Sequence, residues 1–96
     1  MHVITKKRLI EFAAEHSAAR DPLLKWYEIV SKTDFATFSA LRSAFGSVDQ
    51  VGKFTVFNIG GNKYRLIAVI HFNRRRVYIR HVLTHVEYDK GKWKES

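Results

Sequence analysis

Apolar positions in the chain follow two spacings. Up to about residue 46 they recur every three or four residues, and from residue 54 onward they alternate or run together. The first spacing is that of a helix and the second that of a strand. Residues 54–59 and 63–71 are β-branched and aromatic runs on either side of Gly60-Gly61-Asn62, a turn signal rich in residues that accept positive φ. They predict a β-hairpin. A third run, residues 76–84, follows Asn73-Arg74-Arg75, so three consecutive strands with short polar connections predict an antiparallel meander.

Ahead of the meander, residues 2–5 form a short apolar segment. Thr5 suits the N-cap of a helix over residues 6–19, with Leu9, Ile10, Phe12 and Ala13 on its buried side. Lys6, Lys7 and Arg8 fall in its first turn, where the helix dipole disfavours cations by a few tenths of a kcal/mol. They mark either a solvated terminus or a contact with phosphate or an acidic partner. Asp21-Pro22 predicts a second start, with Asp21 as N-cap and Pro22 in the first helical position. Leu23, Trp26, Tyr27 and Val30 then face the sheet, and neither aromatic is assigned a functional role. Residues 34–46 predict a further short helix with Ser39 as a cap, Leu41 and Phe45 inward and Gly46 as the stop, and residues 47–53 a loop. The expected fold class is α+β, with two to three helices on one face of an antiparallel sheet and the other face free for function.

Ninety-six residues, 46% of them hydrophobic, suit one domain over residues 1–96. There is no cysteine, which rules out disulfides and thiolate zinc sites and fits a cytosolic setting. The amino terminus lacks the apolar core of a signal peptide, and no apolar run reaches the roughly 18 residues of a membrane span. A soluble, cytoplasmic protein without membrane association is expected. The net charge of +8 is distributed unevenly, with seven Lys or Arg against six Asp or Glu in residues 1–52 and ten against three in residues 53–96. A polycationic sheet half points to nucleic acid, an anionic membrane surface or an acidic protein partner, with membrane the weakest of the three because no basic amphipathic helix is present to lie on a bilayer.

Strand alternation narrows the candidates. In the second meander strand Tyr64, Leu66, Ala68 and Ile70 are expected to face the helices, which turns Lys63 and Arg65 the other way. In the third strand Val77, Ile79 and Leu83 form the apolar set, leaving Tyr78, Arg80 and Val82 opposite, so that Arg80 and Arg65 share a surface. His81 falls on the apolar side and is expected to be a half-buried structural histidine. An extended path from His81 to His85 covers roughly 13 Å, too far for one metal ion to bind both, and no metal site or cofactor is expected. The segment from Thr84 to Lys94 gathers His85, Glu87, Tyr88, Asp89, Lys90, Lys92 and Trp93 at the sheet's end and suggests a site. Glu87 and Asp89 are expected to cap a final helical turn, with orientation of His85, Lys90 or Arg65 as the alternative. The triplet Arg74, Arg75 and Arg76 at the second hairpin suits contact with an RNA backbone.

The run VFNIGGNKYRLI, followed about ten residues later by VYIRHVLTHVEYDK, resembles the HigB family of type II toxin–antitoxin toxins in the RelE/ParE-like superfamily. With MHVITKKRL at the start, the likeness covers essentially the whole chain. It implies a RelE-like fold and an mRNA interferase, a metal-independent endoribonuclease that cuts messenger RNA on the ribosome and is neutralised by a HigA-type helix-turn-helix antitoxin. RNA can be cut by its own 2′-hydroxyl attacking the adjacent phosphate, which asks a protein for proton transfer and charge stabilisation only. Arg65, in a YRL context like that of the superfamily's strand arginine, is expected to clamp the scissile phosphate, with Lys63 adding charge and Arg80 a further contact. His85 is expected to act as general base or acid, since imidazoles titrate near about pH 6.5. Tyr88 is expected to stack on a base, orient the phosphate or move a proton, and Lys90 to contact phosphate. A ParE-like poison of DNA gyrase and a non-catalytic RNA-binding domain are the alternatives.

Overall fold

The computed structural model describes residues 1–95. Its backbone is a five-stranded sheet in the order β1-β5-β4-β3-β2, built from β1 (His2–Ile4), β2 (Asp49–Val51), β3 (Phe54–Ile59), β4 (Tyr64–His71) and β5 (Arg76–Thr84). Neighbouring strands run antiparallel except β1, which adds to the edge of β5 in parallel with Val3 opposite Val77. The predicted meander is present, widened by one strand on each side. Residues 49–51, expected to be loop, pair with β3 through the short Gly52-Lys53 connection. A three-residue strand carries too little alternation to register in the sequence.

The helices α1 (Lys7–Glu15), α2 (Arg20–Lys32) and α3 (Phe38–Ala44) cover one face of the sheet. Leu9, Leu23, Trp26, Val30 and Leu41 bury against Phe57, Ile59, Leu66, Ala68, Val77 and Ile79, each large side chain contributing about 1.5–3 kcal/mol of hydrophobic stabilisation. Helix boundaries differ from expectation where other residues take the cap positions. Thr5 is no N-cap, since its φ of 74° places it in the left-handed region and Lys6 takes the cap position without a side-chain bond. The first helix ends at Glu15, and a 3-10 turn over Ser17–Ala19 runs directly into α2. Asp21 consequently lies inside the first turn of α2 instead of capping it. Thr37, not Ser39, caps α3, its hydroxyl accepting from the Ala40 N–H at 3.2 Å.

Two further differences position the site. Register shifts between Ile67 and Ala68, which pair with His81 and Ile79, so Arg80 has no partner across β4. Such a bulge reverses alternation beyond it. Val77 and Ile79 pack with the helices as expected, but past the bulge Val82 does so too, while Leu83 packs in a second cluster on the opposite side. That opposite side is also not free. The chain leaves β5 into α4 (His85–Asp89), turns at Gly91 with φ 72°, and returns as a 3-10 turn, Lys92–Glu95, that buries Trp93 against Phe54, Val56 and Ile67. Among the described residues no helix is long and apolar enough to cross a membrane.

Candidate active site

The hairpin between β3 and β4 brings Asn62 and Lys63 to the end of the sheet where β5 passes into α4. Gly60, at φ 62°, makes the turn, and a Cβ there would lie 3.5 Å from the Tyr64 ring. The two chain segments are joined by backbone, with the His85 N–H donating to the Lys63 carbonyl at 3.0 Å. Tyr64 pairs with Thr84 and Arg65 with Leu83. Positions 63, 65, 85 and 88 are thereby gathered within one turn of chain on either side of this junction.

Arg65 points to the face away from the helices, as alternation predicted, but it does not face solvent. It is 8% exposed. One guanidinium nitrogen, Nη1, donates to the carbonyls of Asn62 at 3.2 Å and Tyr64 at 3.1 Å, and Nη2 makes a short bond to Asn62 Oδ1. The Tyr88 ring lies over the guanidinium carbon at 5.3 Å, a cation–π arrangement, and Trp93 stacks behind Tyr88 at 5.1 Å with its indole N–H donating to the Tyr88 carbonyl. The C-terminal return has closed over a charge that the strand alone would have left in water. Asn62 was not singled out in the sequence, although its place three residues before an arginine at a hairpin exit leaves it within reach of that side chain.

Thr84 and Glu87 form a capping box that starts α4. The Thr84 hydroxyl accepts from the Glu87 N–H at 3.2 Å, and the Glu87 carboxylate accepts from the Thr84 N–H at 3.0 Å. The Thr84 N–H holds the Glu87 carboxyl below its ordinary range against the opposing effect of burial, with smaller help from the Thr84 hydroxyl and the nearby His16 and Lys90. Glu87 thus takes the capping role expected of it, and the Thr-x-x-Glu spacing was readable in advance. Asp89 does not cap. Its carboxylate lies 3.1 Å from His85 Nδ1, one helical turn back, which leaves Nε2 of the partly exposed imidazole as the nitrogen directed away from that partner. Lys63 and Lys90 are both exposed.

The remaining candidates lie elsewhere. His81, turned by the bulge onto the same face as Leu83, lines a cleft of about 330 Å³ with Glu87, Lys90, Lys92 and Trp93. Burial, then the charges of Arg8 and Arg80, hold its pKa below the ordinary histidine value. Arg80 lies at the bulge beside Tyr78 and Val69, toward the middle of the strand. Arg74, Arg75 and Arg76 sit at the far end of β4, some 20 Å or more from Arg65 at the rise of an extended strand. There Arg75 adopts φ 55°, passes its carbonyl to the His2 N–H at 2.8 Å, and lies 3.9 Å from Asp34. The structure therefore joins Lys63, Arg65, His85 and Tyr88 at one junction, places Lys90 in the cleft lined by His81, and separates both from the arginine triplet.

Residues 19–91 match the family described as HigB_toxin, RelE-like toxic component of a toxin-antitoxin system. The chain is 36% identical over 93 residues to the mRNA interferase HigB of Escherichia coli O6:H1, covering 94% of this chain and 90% of that relative. It is 36% identical over 92 residues to the mRNA interferase toxin HigB of Escherichia coli K12, covering 93% and 88%. The mRNA interferase HigB of Shigella flexneri is similar to the same extent. A helix-covered sheet, a charged cluster at one end of it, and similarity along nearly the whole chain converge, and the chain belongs to the HigB family of RelE-like toxic components of toxin–antitoxin systems.

Proposed function

We propose that this toxin is an endoribonuclease that cleaves messenger RNA on the ribosome without a metal ion, and that a HigA-type helix-turn-helix antitoxin neutralises it. The observation that carries the reading is the junction of Lys63, Arg65, His85 and Tyr88 at one end of the sheet, in a chain whose relatives are named mRNA interferases.

In this mechanism the ribose 2′-hydroxyl attacks the adjacent phosphorus. The O2′–P bond forms, the P–O5′ bond breaks and the departing O5′ takes up a proton from water, so that the products are a 2′,3′-cyclic phosphate and a 5′-hydroxyl. His85 Nε2 takes the proton from the 2′-hydroxyl, while Asp89 holds the ring through Nδ1 and fixes its orientation. Tyr88 meets the phosphate or the neighbouring base at the mouth of the site. Arg65, held by Asn62 behind the Tyr88 ring, supplies a fixed positive charge to the phosphorane in a setting of low dielectric. Lys63, exposed beside it, contacts the phosphate directly, and Lys90 and Arg80 extend the track along the strand. Arg74 and Arg76 at the far end of the sheet bind RNA backbone, ribosomal or messenger, and serve affinity alone.

The test is to incubate the purified protein with translating ribosomes and map new RNA ends. Cyclic phosphate and 5′-hydroxyl termini are expected, with His85→Ala slowing cleavage by about 10²–10⁴-fold. Ends bearing 5′-phosphate would refute the 2′-hydroxyl route, and intact messenger together with gyrase-dependent DNA breaks would refute the ribonuclease.

A further inference from the structure

The outer side of the helix layer carries a feature that RNA cleavage does not use. Between α1 and α2 runs a groove of about 490 Å³ walled by Leu9, Ile10, Ala13, Ala14, Leu23 and Leu24. Three large hydrophobic side chains are exposed among the described residues, and two of them, Ile10 at 60% and Leu24 at 45%, stand on its walls. Solvated singly, such residues need no explanation, but paired across a groove they mark a surface that another molecule covers.

Charge says what kind of molecule. The groove's charged members are Lys6 and Arg20, both cations, and no carboxylate is ion-paired with either among the described residues. Lys6 is held at the rim, its ammonium 4.3 Å over the Tyr27 ring. The start of α1 points the same way. It lacks a side-chain cap and any acidic residue in its first turn, and it places Lys6, Lys7 and Arg8 where the helix dipole already favours an anion. A partner that supplies carboxylates there relieves a local cost the toxin bears alone. An apolar groove between two helices with cationic rims is the counterpart of an amphipathic helix with acidic flanks.

We infer that this groove is the docking site for an acidic amphipathic helix of the antitoxin, so that the antitoxin is held on the helix layer, across the sheet from Arg65. The inference rests on membership of a toxin–antitoxin family, which makes an antitoxin the partner, and is independent of the cleavage chemistry. It places recognition and neutralisation on different faces: a helix in the groove tethers the antitoxin, and whatever blocks the active site must reach it around the sheet or through a second protomer.

The test uses the full-length toxin and the antitoxin encoded beside it. Ile10→Glu and Leu24→Glu alter exposed positions and put negative charge where acidic flanks must sit. Calorimetric titration should show affinity for the antitoxin falling by about 30-fold or more for each change, the loss typical of a central interface residue. Growth arrest by the variant toxin should persist and escape rescue by the antitoxin. Lys53→Glu, a charge reversal in the exposed turn between β2 and β3 and away from both groove and active site, should leave the affinity within about twofold. Unchanged affinity for Ile10→Glu with Leu24→Glu would overturn the inference, as would finding by light scattering that the isolated toxin is a dimer which those two changes dissociate. A toxin that binds its antitoxin through this groove but cleaves no RNA would leave the docking site standing and remove the ribonuclease.

Discussion

Asn62→Ala tests whether the buried guanidinium is held by design of the hairpin. Asn62 Oδ1 takes Nη2 of Arg65, and the backbone of Asn62 has no positive φ that alanine would resist. Removing the side-chain acceptor leaves a charged donor, 8% exposed, with no partner for Nη2 beneath the Tyr88 ring. Hydrogen bonds to charged groups contribute about 1.5–3 kcal/mol, and the carbonyls of Asn62 and Tyr64 that hold Nη1 are untouched, so the lower part of that range is expected. For a chain of this size each kcal/mol moves the melting temperature by about 4–8 °C, which puts the expected loss at about 6 °C or more. Scanning calorimetry of Asn62→Ala beside Asn73→Ala, an exposed turn residue, measures it. Cleavage should fall as well, because a guanidinium free to leave its place no longer offers a preorganised charge. A melting temperature within about 2 °C of the parent would refute the latch, and unchanged cleavage would show that Arg65 acts independently of it.

Trp93→Ala should cost about 3–5 kcal/mol and speed amide exchange in α4, since the buried indole joins the C-terminal return to Phe54, Ile67 and Tyr88; exchange rates unchanged in α4 would contradict that. Asp89→Asn should slow cleavage at least about tenfold while leaving the fold intact by circular dichroism, because the carboxylate is what steadies His85; a parental rate would assign Asp89 to the surface. Glu87 has a folded pKa lowered chiefly by the Thr84 N–H, so its contribution to stability is full above the ordinary carboxyl range and is lost as pH falls through the lowered value. Glu87→Gln should therefore flatten the acid side of a melting temperature against pH profile, and a profile parallel to the parent's would show that the capping box carries no charge-dependent stability.

Much of this molecule is legible along the chain. The strand runs around Gly60-Gly61-Asn62 and the apolar spacing at Leu23, Trp26 and Val30 depend on local periodicity, and each forms the element that periodicity predicts. Arg65 likewise takes the face that alternation assigns it, with the Tyr88 ring over its guanidinium. Sequence also carries the Thr84-x-x-Glu87 start of α4 and the concentration of positive charge in the sheet half.

Other features are properties of pairing between distant segments. The bulge at Arg80 inserts one residue against β4, which moves His81 and Leu83 to the opposite face without leaving any mark in the alternation of β5 itself. β2 exists because β3 offers an edge, not because Asp49–Val51 favours a strand. The burial of Arg65 follows from a tail that folds back at Gly91 and seats Trp93 on the sheet, converting an exposed strand position into a charge enclosed by Asn62 and Tyr88. Periodicity settles which way a side chain leaves its own backbone; what it meets there depends on contacts made across the chain, and those exist only once the tertiary structure has closed.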